Sequence, residues 1–126
     1  MKSVKTASQK YATKKRGLAK KADKLLQILV VKLNPTCICC GDPSSVAHHF
    51  IYKSQSNYLR YSIKNCVPLC FKCHFLIHHS KSSELSGLIT LRKGKDWFNE
   101  LILEKNKLVK TNLSFYEEKI KTLEKL

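Results

Sequence analysis

Three short stretches decide the fold: CICC (residues 37–40), AHHF (residues 47–50) and CFKCHFLIH (residues 70–78). The first and the third each contain a Cys-x-x-Cys pair, and all five histidines of the chain lie within residues 48–79. Two such pairs, well separated in sequence, are typical of a structural zinc site, because each pair brings two thiolates to one turn. We therefore expect a small fold built around bound metal.

The length and the cysteine usage support this expectation. A chain of 126 residues fits one domain with a modest core, so a metal would add stability. The N-terminal sequence MKSVKTAS lacks the apolar segment of a signal peptide, and the longest aliphatic string, Ile28–Val31, is too short to cross a bilayer. We expect a soluble protein of a reducing cytoplasm, where cysteines bind metal rather than form disulfides.

The positive charge is concentrated at the N-terminus. The formal net charge is +15, and residues 1–33 carry ten Lys and Arg against Asp23 alone, a net of +9. A basic segment on a small domain is the electrostatic pattern of a nucleic-acid-binding protein, since each neutralised phosphate releases counterions. A solvated helix face or a basic tail would also carry such charge.

Apolar periodicity predicts a small α+β fold with a basic N-terminal helix. Residues 1–17 have little apolar periodicity and are expected to form a basic arm that is flexible or only partly helical, and residues 18–33 are expected to form an amphipathic helix. We expect a strand over residues 45–51, a second strand near residues 59–63 and a helix over residues 71–79. Pro68 argues against regular structure just before Cys70.

The remaining residues, 81–126, predict two or three helices that pack on the core. Ser82 and Ser83 are expected to cap a helix through Leu91, Gly94 breaks it, and residues 96–109 continue. The sequence SFYE (residues 114–117) is a capping-box pattern that opens a terminal helix to Leu126. The predicted organisation is thus an arm (1–17), a helix with the metal-bound core (18–80) and a helical extension (81–126).

Four cysteines are the candidate ligands of a structural Zn²⁺: Cys37, Cys40, Cys70 and Cys73. They supply two knuckles whose ligands lie three positions apart, as a tetrahedral site requires. Cys39 and Cys66 are left over. The alternatives are that Cys39 replaces one of the four, or that some thiols are merely buried.

The histidines predict a second metal site, separate from the four cysteines. In a helix, His74 and His78 lie on one face, so both can bind one cation. His48 and His49 point in opposite directions on a strand, so one can join that cation and the other is available to activate water. The alternatives are that His79 takes the place of His78, or that His74 is a zinc ligand.

These residues resemble the HNH, or ββα-metal (His-Me finger), endonucleases, in the version held by two Cys-x-x-Cys knuckles. The likeness covers residues 37–79, and Asn65 lies nine residues before His74. Its spacing is similar to that of the colicin nuclease domains. The layout is also similar to the phage NinG (Rap) recombination nucleases, although that likeness does not extend to His74 and His78.

The resemblance implies a zinc-stapled ββα-metal core and a metal-dependent DNA endonuclease of a bacterium or a phage-infected cell. It makes His49 the general base, and it makes His48, His74 and His78 the ligands of a catalytic Mg²⁺, Mn²⁺, Ni²⁺ or Zn²⁺. Asn65 ties the loop to the first strand and orients the His49 ring. The NinG likeness implies selectivity for branched or recombination-intermediate DNA.

Basic and polar side chains are the candidate DNA ligands. They lie between the catalytic strand and Asn65 and in the N-terminal segment: Lys53, Ser54, Arg60, Lys14, Lys15, Arg16, Lys20 and Lys21. The main alternative function is a non-catalytic zinc-ribbon nucleic-acid-binding protein, which explains the charge and the cysteines but not the histidines. A third is a protein that docks on an enzyme through its C-terminal helices.

Overall fold

The computed structural model describes residues 4–126, and over this range the chain forms six α-helices and one two-stranded antiparallel sheet. The helices are α1 (Ala7–Leu33), α2 (Asn57–Arg60), α3 (Phe71–His78), α4 (Ser82–Lys93), α5 (Lys95–Glu104) and α6 (Leu113–Glu124). The strands are β1 (Val46–His49) and β2 (Cys66–Leu69), and a 3₁₀ turn (Ile63–Asn65) leads into β2. The predicted small α+β class is confirmed. None of the helices in the described range is long and apolar enough to cross a bilayer.

Helix α1 begins eleven residues earlier than predicted, and so the expected flexible arm is helical from Ala7. Thr6 caps this helix in a capping box: its hydroxyl accepts from the Gln9 amide (3.2 Å), and its own amide donates to the Gln9 side chain (2.8 Å). The prediction was wrong because it relied on apolar periodicity and overlooked this T-x-x-Q signal. Residues 1–3 of the predicted arm lie outside the described range.

The second strand is β2, not the predicted segment near residues 59–63, which forms α2 and the start of the 3₁₀ turn. Pro68 lies inside β2, opposite Ala47 in the register. The backbone N–H and C=O of Ala47 are bound by the Gln27 side chain, at 2.8 Å each, so this strand pair does not need an N–H from Pro68. Proline is tolerated in such a sheet of two edge strands.

The predicted N-terminal caps of two helices in the C-terminal third of the chain were also wrong. Helix α6 is capped by Asn112, whose side chain accepts from the Phe115 amide (2.9 Å), and not by Ser114. Helix α4 begins after Lys81 without a side-chain cap. Gly94, with φ of 97°, separates α4 from α5 as predicted, since this backbone conformation favours glycine.

The core divides between two sides of the sheet. One cluster joins the thiol knuckles to α4 and α5 through Leu69, Ile77, Ile89 and Leu101, all essentially inaccessible to solvent. On the other side, α1 packs against both strands and against α6. The sheet therefore lies between α1 on one side and the thiol knuckles with α4 and α5 on the other. Helix α3 contacts both strands.

Candidate metal centres

The four predicted zinc ligands form one cluster in space. One sulfur each from Cys37, Cys40, Cys70 and Cys73 lies within 4.8 Å of all the others, and the Cys40 and Cys70 sulfurs are 3.6 Å apart. Four thiolates bound to one zinc at about 2.3 Å lie about 3.8 Å apart. The cluster is therefore compatible with a tetrahedral Zn²⁺, and its donor set is that of a closed structural site.

The first knuckle is shaped by backbone geometry and by a distant arginine. Gly41, with φ of 82°, lets the chain turn so that its amide donates to the Cys37 carbonyl (3.0 Å). The Arg92 guanidinium, from α4, donates to the carbonyls of Ile38 and Cys39. Sequence analysis did not find Arg92, because nothing in its local sequence distinguishes it from other surface cations.

The pKa values of the thiols differ within the cluster. Burial opposes the charged form of Cys37, yet backbone hydrogen bonds outweigh it and lower its pKa to about 7. Burial and hydrogen bonding to neighbouring thiols raise the pKa of Cys73. A divalent cation supplies the positive charge that four adjacent thiolates need.

The two remaining cysteines are buried outside this cluster. Burial raises the pKa of the Cys39 thiol to about 11 and that of Cys66 to about 12. Cys39 packs in the core beside the knuckle, and Cys66 packs against α1. Their positions favour the predicted ligand set over the alternative in which Cys39 replaces one of the four.

Three histidines form a second cluster. One ring nitrogen each of His48, His74 and His78 lies within 4.8 Å of the other two, and the Nε2 atoms of His74 and His78 are 3.1 Å apart. Two imidazoles bound to one cation at about 2.1 Å place their nitrogens about 3.0–3.4 Å apart. The residues present therefore fit a cation held by three imidazoles, with His48 from β1 and the other two from α3.

Burial favours the neutral form of two of these imidazoles, His48 and His74, and metal ligation requires that form. Burial, together with the nearby His74 and His78, lowers the pKa of His48 to about 3. Burial also lowers the pKa of His74. His79 lies outside the cluster on the surface, where its ring stacks on Phe75 with centroids 4.1 Å apart. The geometry thus favours His78 over His79 as the third ligand.

His49 lies outside the three-histidine cluster and is held by a backbone carbonyl. Its Nε2 lies 2.8 Å from the Arg60 carbonyl oxygen, so Nε2 carries the proton and Nδ1 keeps its lone pair. Burial lowers the pKa of His49, and this hydrogen bond opposes the shift. The imidazole is therefore neutral at pH 7 with one nitrogen free to accept a proton.

Arg60 was predicted to bind DNA, but its guanidinium is occupied by another residue. It forms an ion pair with Asp23 of α1, with Nη2 to Oδ2 at 2.9 Å and Nε to Oδ1 at 3.4 Å. Asp23 thereby fixes the segment whose carbonyl orients His49. Sequence analysis missed this role, although Asp23 is the only acidic residue in the first 33 positions.

Asn65 ties two segments together, as predicted, but does not touch the His49 ring. Its side chain, fully buried, accepts from the Ile51 amide (2.8 Å) and donates to the carbonyls of Ile51 (2.9 Å) and Leu59 (3.3 Å). Ile51 lies just after β1 and Leu59 just before Arg60. Asn65 therefore controls the ring of His49 only indirectly, by holding the chain on either side of it.

One cleft of about 360 Å³ is lined by the three clustered histidines, by His49, and by Lys53 and Ser54. The cleft also includes Gln27 and Tyr52, which sequence analysis missed. The Tyr52 ring lies beside His48 and His78, with centroid distances of 6.1 and 5.7 Å. The cleft brings four imidazoles, an ammonium and a hydroxyl to a single solvent-accessible place.

The basic residues predicted in the N-terminal segment lie on the first half of α1. Lys14, Arg16 and Lys20 are exposed, Lys15 is half-buried beside Tyr11, and Lys21 pairs with Glu124 at 3.8 Å. The first buried residue of this helix is Ala22. The preceding turns therefore form a solvent-exposed cationic helix.

Comparison with protein-family models, with curated proteins and with solved structures finds no match to this chain.

Proposed function

We propose that this protein is a metal-dependent DNA endonuclease of the HNH, ββα-metal type, hydrolysing phosphodiester bonds in the histidine cleft. The observation that carries the proposal is the convergence of three ligand imidazoles and a separate oriented histidine on one cleft. The order β1, β2, α3, with ligands from the first strand and the helix, is the arrangement expected of that core. A closed thiolate site beside it supplies the structural zinc.

His49 acts as the general base in this proposal. Its Nδ1 accepts a proton from the attacking water, while the Arg60 carbonyl holds the ring and stabilises the positive charge that develops on it. Lys53 and Ser54 bind the phosphate and hold it in the cleft. No covalent enzyme intermediate is needed.

The imidazoles of His48, His74 and His78 hold a divalent cation. When bound, the cation neutralises charge on the phosphate and on the leaving 3′ oxygen. Imidazole ligands favour Zn²⁺, Ni²⁺ or Mn²⁺ in affinity, whereas Mg²⁺ prefers oxygen. The low pKa of His48 keeps its ring available for ligation throughout the neutral range.

The charge distribution supports DNA as the substrate. Gln27 lines the cleft and Lys14 lies thirteen residues earlier in α1, which is about 20 Å along a helix axis. That length corresponds to about six base pairs of a duplex. A duplex that is cut in the cleft therefore reaches the cationic half of α1 when it extends about six base pairs from the cleavage site along that helix. A branched DNA would offer a second arm to the same surface.

A plasmid-nicking assay tests the proposal. We expect nicking by the wild-type protein with Mg²⁺, Mn²⁺, Ni²⁺ or Zn²⁺, a loss of about 10²–10⁴-fold in His49→Ala, and a comparable loss in His78→Ala. His79→Ala is the matched control, since it removes an exposed histidine one position away. Wild-type nicking no greater than that of His49→Ala under every metal would refute the proposal.

The alternative is a non-catalytic zinc-binding protein that uses α1 to bind nucleic acid. The thiolate cluster and the exposed cationic turns of α1 favour it. It leaves the histidine cluster unexplained. Metal analysis separates the two: the nuclease binds a second cation that is lost in His74→Ala, whereas the binding protein holds one zinc with or without His74.

A further inference from the structure

A second cleft adjoins the histidine cleft. It has a volume of about 250 Å³ and lies between the loop of residues 54–57 and the segment of residues 105–109, which connects α5 to α6. Ser54 lines both clefts. A strand of nucleic acid that leaves the histidine cleft past Ser54 therefore enters the second cleft directly.

Ammonium groups surround this second cleft. Lys105 and Lys107 line it, and the Lys107 ammonium lies 5.1 Å from the centroid of the Tyr58 ring. The Lys119 ammonium lies 5.8 Å from the same ring. Within residues 4–126, none of these three lysines forms an ion pair with a carboxylate. Glu104, the acid that precedes Lys105 in the sequence, is paired with Lys64 at 3.2 Å.

The loop that separates the clefts has a defined shape. The buried Ser56 hydroxyl accepts from the Leu59 amide (3.1 Å), and the Gln55 amide donates to the Tyr52 carbonyl (2.9 Å). These bonds hold Ser54 at the boundary and leave the exposed side chains of Asn57 and Asn106 at the second cleft. Lysine and amide donors, with no carboxylate among the residues that line the cleft, suit a sugar–phosphate backbone rather than an apolar ligand.

We propose that this second cleft binds the backbone phosphates of the DNA strand that extends from the histidine cleft, with Lys105 and Lys107 as the principal ligands. The inference rests on the proposed nuclease function. It gives the C-terminal extension a binding role, because the α5–α6 connection supplies the cations and β1 and α3 supply the chemistry.

Salt-dependent binding tests the proposal. All proteins carry His49→Ala, so that DNA is not cut, and binding to a fluorescent 20-base-pair duplex is measured by anisotropy between 50 and 200 mM salt. Lys105→Gln/Lys107→Gln is expected to bind about tenfold more weakly at 100 mM salt and to reduce the slope of log K against log salt by about two. The glutamines remove the positive charge and keep a polar, unbranched side chain.

The matched control is Lys95→Gln/Lys125→Gln. It removes the same charge from exposed lysines at the far ends of α5 and α6, about 15 Å along α5 from Lys105 and about 9 Å along α6 from Lys119. We expect its slope to stay close to that of the parent. Equal slopes for the two double variants would overturn the subsite.

The result also separates the subsite from the nuclease proposal. If the wild-type protein nicks plasmid and the parent binds the duplex, but the Lys105 and Lys107 changes leave the slope unaltered, only the subsite is overturned. If the parent does not bind DNA at all, both proposals fail.

Discussion

Replacing Asn65 by alanine is expected to destabilise the protein more than any other single asparagine change. The side chain is completely buried and satisfies the N–H and the C=O of Ile51 at 2.8 and 2.9 Å. Its third bond, to the Leu59 carbonyl, matters less, because that carbonyl also accepts from the Ser62 amide at 3.1 Å. The alanine variant therefore leaves two buried backbone groups without a partner.

The magnitude follows from those two groups. An unsatisfied buried donor or acceptor costs about 1–3 kcal/mol, so Asn65→Ala should lower the free energy of unfolding by about 2–6 kcal/mol. A small domain has only about 5–15 kcal/mol in total. The change therefore removes a large fraction of the stability, and it loosens the chain on both sides of His49 even where the protein remains folded.

Urea denaturation of the zinc-loaded protein, followed by circular dichroism, measures this effect. Asn57→Ala is the matched control, since Asn57 is exposed in the neighbouring helix α2 and should change stability by less than about 0.5 kcal/mol. An Asn65→Ala variant whose unfolding free energy lies within about 0.5 kcal/mol of the wild type would refute this reasoning.

Three further predictions concern the metal sites and the orientation of the base. Cys73→Ser should lose the structural zinc and melt at a lower temperature, whereas Cys39→Ser should keep one zinc per chain by mass spectrometry of the metal; equal zinc contents would contradict the assigned ligands. Because burial lowers the pKa of folded His48 to about 3, the unfolded chain takes up its proton first as the pH falls below about 6.5, and stability should drop by about 1.4 kcal/mol per pH unit. Urea midpoints at pH 6.5 and 5.5 check this, and an identical drop in His48→Gln would argue against it. Asp23→Ala should cost about 1 kcal/mol and lower kcat for nicking about tenfold with little change in KM, because it frees Arg60; an unaltered kcat would exclude the positioning role.

Regular spacing made much of the site predictable from sequence. The Cys-x-x-Cys pairs predicted the thiol cluster. Two cysteines three positions apart in a tight turn bring their sulfur atoms close together, whatever the rest of the fold. His74 and His78 were paired by the period of a helix, and the alternation of a strand separated His48 from His49. These relations depend on covalent geometry over a few residues.

The misses came from signals of a different kind. The T-x-x-Q cap of α1 was present in the sequence but was overlooked in a stretch without apolar residues. Pro68 was read as a strand breaker because sequence alone does not show that the Gln27 side chain binds Ala47, its partner in the sheet. An edge strand tolerates proline where the missing N–H would point away from the paired strand, as at Pro68, whose carbonyl accepts from the Ile38 amide, and the register that decides this is set by packing.

Local spacing therefore determined which residues form the thiol cluster and the histidine cluster, and only the tertiary structure decided what holds them in position. Three contacts do this across long separations in the chain: Gln27 to Ala47 over 20 residues, Asp23 to Arg60 over 37, and Arg92 to Cys39 over 53. Each joins elements that meet only after the helices have buried their apolar faces against the sheet. Sequence periodicity does not predict these contacts. Their partners are brought together by the packing of distant segments and not by the geometry of the chain between them.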